Sequence, residues 1–595
     1  MQKHLLFVIA AIYYKGSVRA MSYMDNYNKW LASPVLTEAE KAELHAIGDD
    51  LKEIESRFYA PLQFGTAGLR GTLGMGLNRM NIYTVRWATQ GIAELICSMG
   101  AETMARGVVV CYDCRIMSPE FSVEVASVLA ANGIKVYLFD AMRPTPECSF
   151  AIRKLGCIAG INITASHNPK EYNGYKAYWE DGAQLPPAEA DVVVAAIEKL
   201  DIFTDIKTMP LDKAIDAGLI TYIGAEMDEA FLDLSLSMSV SRDAVEKVAD
   251  DFKIVYTPFH GTGYKLVPEV LRRLGMKHIL CEPRQSVPDG TFPTVVSPNP
   301  QDKEGFADSI ALAKENNVDL IIGTDPDADR VGIVLREDGG EYVTLSGNQV
   351  GVLLLDYLIN AMREKNALPH NAAVVKTIVT TEMARKVAQE NGVACYDTFT
   401  GFKFLAEKIN QLEESGEGDF ILAYEESYGY LVGDGARDKD AVTASMLIAE
   451  MAAWYHLKGM TLYDAMEALY KKYGYYLDET INIVMKGLDG LKRMNELLSS
   501  LQKNPPKEIA GRAVLRLRDY NTGVIHNYEK NCDEKMELKG SNVLYFDMSD
   551  GTSFIVRPSG TEPKIRVYML LHGESKDDCQ RILSDYVAAA KELIK

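Results

Sequence analysis

Three aspartates stand at alternate positions in the segment Gly323-Thr324-Asp325-Pro326-Asp327-Ala328-Asp329-Arg330. In an extended stretch this spacing lets the carboxylates of Asp325, Asp327 and Asp329 turn towards one point. Like charges a few ångströms apart resist ionising together. A hard divalent cation, Mg²⁺ or Ca²⁺, relieves that conflict and takes all-oxygen ligation. The segment is not an EF-hand, which needs a Gly and a distal Glu that are absent here. A solvated acidic turn is the plain alternative. The apolar run before the segment favours metal, because it delivers three acids to a sheet edge. A second apolar run stops at Thr164-Ala165-Ser166-His167-Asn168-Pro169, followed by Tyr172-Asn173-Gly174-Tyr175-Lys176. There a strand end presents the Ser166 hydroxyl to a cleft. Serine becomes a nucleophile only beside a base, cation or metal, and His167 and Lys176 are the nearby candidates. Taken alone, the segment is also an ordinary strand-to-helix turn with Ser and Asn as caps.

A third segment, Tyr424-Glu425-Glu426-Ser427-Tyr428-Gly429, precedes Arg437-Asp438-Lys439-Asp440. Paired carboxylate and hydroxyl groups accept from and donate to vicinal sugar hydroxyls. An ordinary polar loop carries the same residues. Thr400-Gly401-Phe402-Lys403 lies upstream, placed to close over the same ligand. A fourth, Arg557-Pro558-Ser559-Gly560-Thr561-Glu562-Pro563-Lys564, joins two predicted strands. One Arg, two hydroxyls and a Gly make a phosphate cradle or simply a glycine-bearing hairpin. No GxxxxGK and no helix-opening GxGxxG is present, so no nucleotide cofactor is indicated. Cys111-Tyr112-Asp113-Cys114 has redox spacing but lacks a second CxxC pair, and reads as packing or positioning. His260-Gly261-Thr262-Gly263 reads as a strand-to-helix turn.

The elements that must position these loops alternate short apolar strands with helical patterns, the mark of parallel α/β layers. One round has strands at 107–111, 134–139 and 157–163 around a helix at 118–132. A second has strands at 252–256, 278–281 and 318–322, with helices at 264–274 and 303–316. A third has strands at 373–379 and 419–423, with helices at 382–391 and 402–412. In each round an apolar strand ends in one of the polar loops, and ligands of open α/β sheets bind at such carboxyl ends. From about residue 476 the pattern changes. A helix at 490–502, strands at 543–546, 553–557 and 565–571 and a helix from 576 predict a smaller α+β domain.

The chain has 595 residues, about four domains at ~150 each. Its 83 Asp and Glu against 63 Lys and Arg give a net charge of −20, which repels phosphate backbones and anionic membranes. The nine cysteines are scattered and odd in number, as in a reduced cytoplasmic protein. Residues 5–14 form an apolar run too short for a bilayer, which takes about 20 residues. The run fits a secretory h-region with a weak cleavage site at 18–20. Alternatively Met21 or Met24 is the true start, and a phosphate-cradling loop, which would suit an intracellular task, favours that reading.

In order along the chain, Gly65-Thr66-Ala67-Gly68-Leu69-Arg70-Gly71, the Ser166 loop, the Asp325–Asp329 loop, Glu425-Glu426-Ser427 and 557–564 resemble the α-D-phosphohexomutase superfamily. The likeness is greatest to its phosphoglucomutase branch, which also contains phosphopentomutases. It runs over nearly the whole chain after residue 24. It implies three similar α/β domains with mixed sheets and a smaller α+β C-terminal domain around a central cleft. The implied parts are an extension at 1–23, a phosphoserine domain at 24–235, a metal-binding domain at 236–342, a sugar-binding domain at 343–475 and a phosphate-binding domain at 476–595. By resemblance, Ser166 carries the phosphate and Asp325, Asp327 and Asp329 hold Mg²⁺ together with it. Arg70 and Lys176 lie beside the reacting oxygens, Lys176 as acid/base, and His167 assists. Arg330, Thr400, Gly401, Glu425, Ser427 and Lys439 contact the sugar, and Arg557, Ser559, Gly560 and Thr561 hold the phosphate not in transfer. The implied reaction is exchange between glucose 1-phosphate and glucose 6-phosphate through glucose 1,6-bisphosphate, in the cytoplasm, by a monomer or small homo-oligomer. The alternatives are a pentose or mannose phosphate as substrate, a silent sugar-phosphate sensor, and a phosphatase with a cleft open to water. Tyr424 stands where many members have Gly, and Ala441 where Gly is common, which bears on the sugar more than on the chemistry.

Overall fold

The computed structural model describes residues 22–65, 68–337, 339–484, 487–558 and 564–592, with side chains throughout except at 487–491. Three mixed sheets and one antiparallel sheet follow in chain order. The first runs Leu69–Thr72, Tyr172–Trp179, Ala159–Ile163, Val108–Tyr112, Val136–Phe139 and Ile220–Ile223. The second runs Tyr342–Thr344, Val331–Arg336, Leu320–Thr324, Lys253–Thr257 and His278–Cys281. The third runs Ala394–Thr398, Ala372–Thr377, Asp419–Glu425 and Gly429–Leu431. Their central strands pair in parallel and read as continuous apolar runs, because helices cover both faces. The fold is three α/β units and a smaller C-terminal unit, the class the sequence predicts.

Each α/β sheet repeats one device. A parallel strand ends in a reactive loop and the chain returns as an antiparallel strand: Ala159–Ile163 to Tyr172–Trp179, Leu320–Thr324 to Val331–Arg336, and Asp419–Glu425 to Gly429–Leu431. At each hairpin tip one non-glycine residue is left-handed: Ser166 with φ 52°, Ala328 with φ 49° and Tyr428 with φ 70°. L residues disfavour that region, so each tip is held by its surroundings.

One large core runs through residues of all three α/β units. Its centre is the helix Ala441–His456, buried on every residue from Ala441 to Tyr455, since it packs against Gly263–Leu274, Arg242–Val248 and Gly347–Glu364. Asp440 caps this helix by accepting from the amides of Val442 and Thr443, so Ala441 is simply its first helical residue and no Gly is required. Tyr424 lies under the helix Gly347–Glu364. Its ring occupies the place where a Cβ on Gly351 would come within 2.2 Å of it.

The C-terminal unit has its own core. Its strand Tyr475–Val484 pairs over ten residues with Lys564–Gly573, and the sheet continues through Ser553–Pro558, Leu544–Met548 and Arg512–Asp519 to the hairpin Val524–Asn527 and Cys532–Lys535. Details depart from expectation. The helix expected at 303–316 opens as a 3₁₀ turn, Lys303–Phe306, before the α-helix Ala307–Asn316. The strand expected at 373–379 ends at Thr377. Three helices precede the first sheet, Tyr23–Leu31, Glu38–Ala46 and Leu51–Phe58, and bury Trp30, Leu44, Ile54 and Phe58 in a small core shared with Met75, Tyr83 and Ile202 of the first α/β unit. No helix among the described residues is long and apolar enough to cross a membrane.

Candidate active site

The loops of the first two sheets meet. Ser166 is 3% exposed, and its Oγ lies 2.8 Å from Asp325 Oδ2 and 3.1 Å from His167 Nδ1. One hydroxyl proton cannot serve both contacts, so Oγ donates in one and accepts in the other. The backbone N–H of Ser166 donates to Thr164 Oγ1 at 2.9 Å, a turn built from local residues.

Asp325, Asp327 and Asp329 are buried, with oxygens from all three within 4.8 Å of one another. The alternation predicted from sequence thus holds in space. Asp325 Oδ1 accepts from the amides of Asp329 at 3.1 Å and Arg330 at 3.0 Å, which curls the loop around it. The His260 turn supports the loop from behind, as the Thr262 amide donates to Pro326 O at 2.8 Å. Burial, then the Asp327 and Asp329 charges, push the Asp325 carboxyl well above the usual range. Asp329 goes the other way: burial opposes its ionisation, but Lys176, Lys439 and Arg330 outweigh it. The Oδ1 atoms of Asp327 and Asp329 are buried without a hydrogen-bond partner. An all-carboxylate donor set with orphaned oxygens and repelling charges fits a hard divalent cation.

Lys176, on the return strand of the Ser166 hairpin, reaches Asp327 Oδ2 at 2.6 Å and Asp329 Oδ2 at 2.9 Å. Burial opposes its charge, yet these carboxylates hold its pKa above the ordinary lysine value. Burial, with Arg330 and Arg70, holds the His167 imidazole well below its usual pKa. Asp327 has a further support that motif reading misses. Its Oδ2 accepts from Thr145 Oγ1 at 2.7 Å, which in turn accepts from Asn162 Nδ2 at 2.8 Å, and the Thr145 amide donates to Asp327 O at 2.8 Å. These partners lie far from Asp327 in sequence, so no local pattern marks them.

Above this floor opens a cleft of about 830 Å³. Its lining includes Arg70, His167, Arg330, Thr400, Gly401, Glu425 and Ser427 from the α/β units, and Arg557 from the C-terminal unit. Arg70 donates to Asn168 Oδ1 at 3.2 Å. The Gly401 amide donates to Glu425 Oε1 at 2.8 Å, joining the two loops expected to hold a sugar. Ser166, Lys176 and the three aspartates lie buried next to the cleft rather than in its lining, and Lys439 does not line it either. Lys439 sits beneath, 2.9 Å from Asp438 and 3.3 Å from Asp329. Ser559, Gly560 and Thr561, like Thr66 and Ala67 of the first motif, lie outside the described residues. Arg566, which motif reading passes over, lies directly across from Arg557, and Lys564 shares their face at the strand period of two. Five cations, Arg70, Arg330, Arg557, Lys564 and Arg566, line the cleft beside four carboxylates, Glu425, Glu426, Asp478 and Glu479.

Three α/β units and a smaller C-terminal unit thus meet around one polar cleft. The chain matches all four models of the phosphoglucomutase/phosphomannomutase family: alpha/beta/alpha domain I at 61–202, domain II at 231–340, domain III at 346–473 and the C-terminal domain at 498–588. It belongs to that family. A phosphoglucomutase of Staphylococcus aureus is 37% identical over 529 residues, covering 88% of this chain and 93% of the relative. Among solved structures, the open form of the Paramecium phosphoprotein parafusin, itself described as a phosphoglucomutase, superposes with a TM-score of 0.67 at 19% identity, over 89% of this chain and 94% of that one. A Burkholderia thailandensis phosphoglucomutase/phosphomannomutase family protein gives 0.61 at 19%, over 89% and 97%. Both structures share the fold.

Proposed function

We propose that the chain interconverts glucose 1-phosphate and glucose 6-phosphate through phospho-Ser166 and glucose 1,6-bisphosphate. The observation that carries this reading is the Ser166 hydroxyl 2.8 Å from a buried three-carboxylate cluster, with the neighbouring residues His167, Asn168 and Arg330 lining a cleft that Arg557 and Arg566 also line. Mg²⁺ held by Asp325, Asp327, Asp329 and an oxygen of phospho-Ser166 would offset charge on the transferring group. Ser166 gives its phosphoryl group to a sugar hydroxyl. The Oγ–P bond breaks as the sugar O–P bond forms, and Oγ regains the proton that the sugar hydroxyl loses. His167, 3.1 Å from Oγ, and Lys176 are placed to help that proton move, and Arg70 faces the incoming phosphate. Glu425, Ser427, Thr400, Gly401 and Arg330 hold the sugar, while Lys439 acts from below by fixing Asp329. Arg557, with Arg566, Lys564 and the loop 559–561, binds the phosphate not in transfer. The bisphosphate turns end for end and its other phosphate returns to Ser166. Such chemistry belongs in the cytoplasm, where its substrates are kept.

With Mg²⁺ and a trace of glucose 1,6-bisphosphate, the chain should turn over glucose 1-phosphate faster than ribose 1-phosphate or mannose 1-phosphate. Intact mass should show one phosphate that is absent in Ser166→Ala, whose turnover falls by about three orders of magnitude or more. An active Ser166→Ala enzyme refutes the mechanism. A preference for ribose 1-phosphate makes the chain a phosphopentomutase.

A further inference from the structure

Arg115 belongs to none of the groups assigned above, yet its side chain is 0% exposed. Its guanidinium faces the back of the 166–172 segment. Nη2 donates to the carbonyl of Ser166 at 2.6 Å and to that of Asn168. Nη1 donates to the carbonyls of Pro169 at 2.9 Å and Tyr172 at 3.0 Å. Nε lies 3.4 Å from Asp113 Oδ2. Arginine has five N–H donors in a rigid fork; here four engage one loop, and the fifth, on Nε, stands beside the Asp113 carboxylate without a hydrogen bond to it. The second α/β unit seals this arrangement. The Phe292 ring lies 5.0 Å from the guanidinium carbon, and a Cβ on Gly290 would come within 2.5 Å of Cys114 O and 2.6 Å of Ile116 N. The neighbouring chain thus passes as close as a backbone can.

We propose that Arg115 is a positioning residue that fixes the Ser166 loop in its left-handed turn. It thereby delivers Oγ to the Asp325 side of the cleft. The Ser166 carbonyl can meet Nη2 only while the peptide after Ser166 keeps its present orientation, and that orientation accompanies a φ of 52°, which an L residue leaves when free to do so. The four carbonyls span both sides of the tip, so Arg115 sets the tip and its return limb together. This inference rests on the reading of Ser166 as the phosphate carrier. It goes beyond that reading in naming what holds the carrier in place.

Arg115→Lys tests it. The substitution keeps a charge and a long stem, but an ammonium cannot span four carbonyls in one plane. Misplacing a reacting group by about 1 Å costs on the order of a hundredfold. The variant should therefore lose about that in kcat, with KM for glucose 1-phosphate and Mn²⁺ affinity unchanged. Amide exchange at Asn168 and Tyr172 should quicken while the rest of the first sheet exchanges as in the parent. Added guanidinium ion should restore part of both losses in Arg115→Ala. A folded Arg115→Lys with parent kcat overturns the inference, as does one whose exchange rises evenly over the first sheet. If Arg115→Lys does not fold, Phe292→Leu decides. Slower turnover with faster exchange confined to 166–172 supports the inference, and parent-like values for both overturn it. Exchange is read without substrate, so it stands apart from any failure of the mutase reading, which Ser166→Ala detects separately.

Discussion

At the scale of single residues, the site is a set of charges made tolerable by specific neighbours. Asp327 shows this best, since its Oδ2 is shared by Lys176 and Thr145 while its Oδ1 has no partner. Loss of a partner that orients a metal-binding carboxylate lowers affinity about ten- to a hundredfold. Thr145→Val should therefore weaken Mn²⁺ binding to the purified chain by about that factor, and Thr145→Ser should restore it; titration of the metal without substrate checks both. The aspartates themselves were legible in the sequence, because alternation in an extended loop is a local pattern. Arg115 and Thr145 were not. Their partners lie 51 and 182 residues away at Ser166 and Asp327, and only folding brings them together. The Cys111–Cys114 segment, read as packing or positioning, holds a buried Cys111, and the side chain that grips the Ser166 loop is the next one along, Arg115.

At the scale of elements, the strand Tyr475–Val484 couples the C-terminal sheet to the cleft, since Asp478, Glu479, Thr480 and Asn482 line it. Burial pushes the Asp478 carboxyl up to about 7, against donors on Thr381 and Asn348 and the Lys376 ammonium, with Glu382 adding to the rise. The native chain thus keeps a proton that the unfolded chain, with an ordinary carboxyl near 4, has released. Stability falls with rising pH wherever the folded state binds more protons. This group's share therefore drops between about pH 4 and pH 7 and levels off above. Asp478→Asn should gain on the parent in thermal midpoint from pH 5 to pH 8, the difference being larger at pH 8; equal differences at both would show that Asp478 does not titrate in this window. Sequence pattern gave the buried parallel strands, whose Val and Ile runs are unmistakable. It passed over this strand, which is half-buried and carries Asp, Glu, Thr and Asn, and over the return strands such as Tyr172–Trp179, whose Asn, Gly and Lys serve the site rather than a core.

At the scale of the whole molecule, three units share one core, and the fourth has its own but also packs Tyr520, Tyr545 and Tyr568 with Ile378, Val379 and Phe399 of the third. Arg557, on the strand Ser553–Pro558 of the fourth unit, lines the cleft. Arg557 offers charge-assisted donors to a phosphate but no base for Ser166. Loss of such a contact costs about 1.5–3 kcal/mol, or about ten- to a hundredfold in affinity. Arg557→Ala should raise KM for glucose 1-phosphate by that factor and lower kcat less, because closure also depends on that side of the cleft. An unchanged KM would place the distal phosphate elsewhere.

The contact between Tyr424 and Gly351 also orders the routes by which this chain can change. While the phenol ring stands at 424, an alanine at 351 has no room; once a glycine stands at 424, the same alanine fits and gains helix propensity over glycine. Two substitutions that reach one end product are thus passable in one order and barred in the other, so a library that varies 424 and 351 together should recover alanine at 351 only in clones that have already lost the ring.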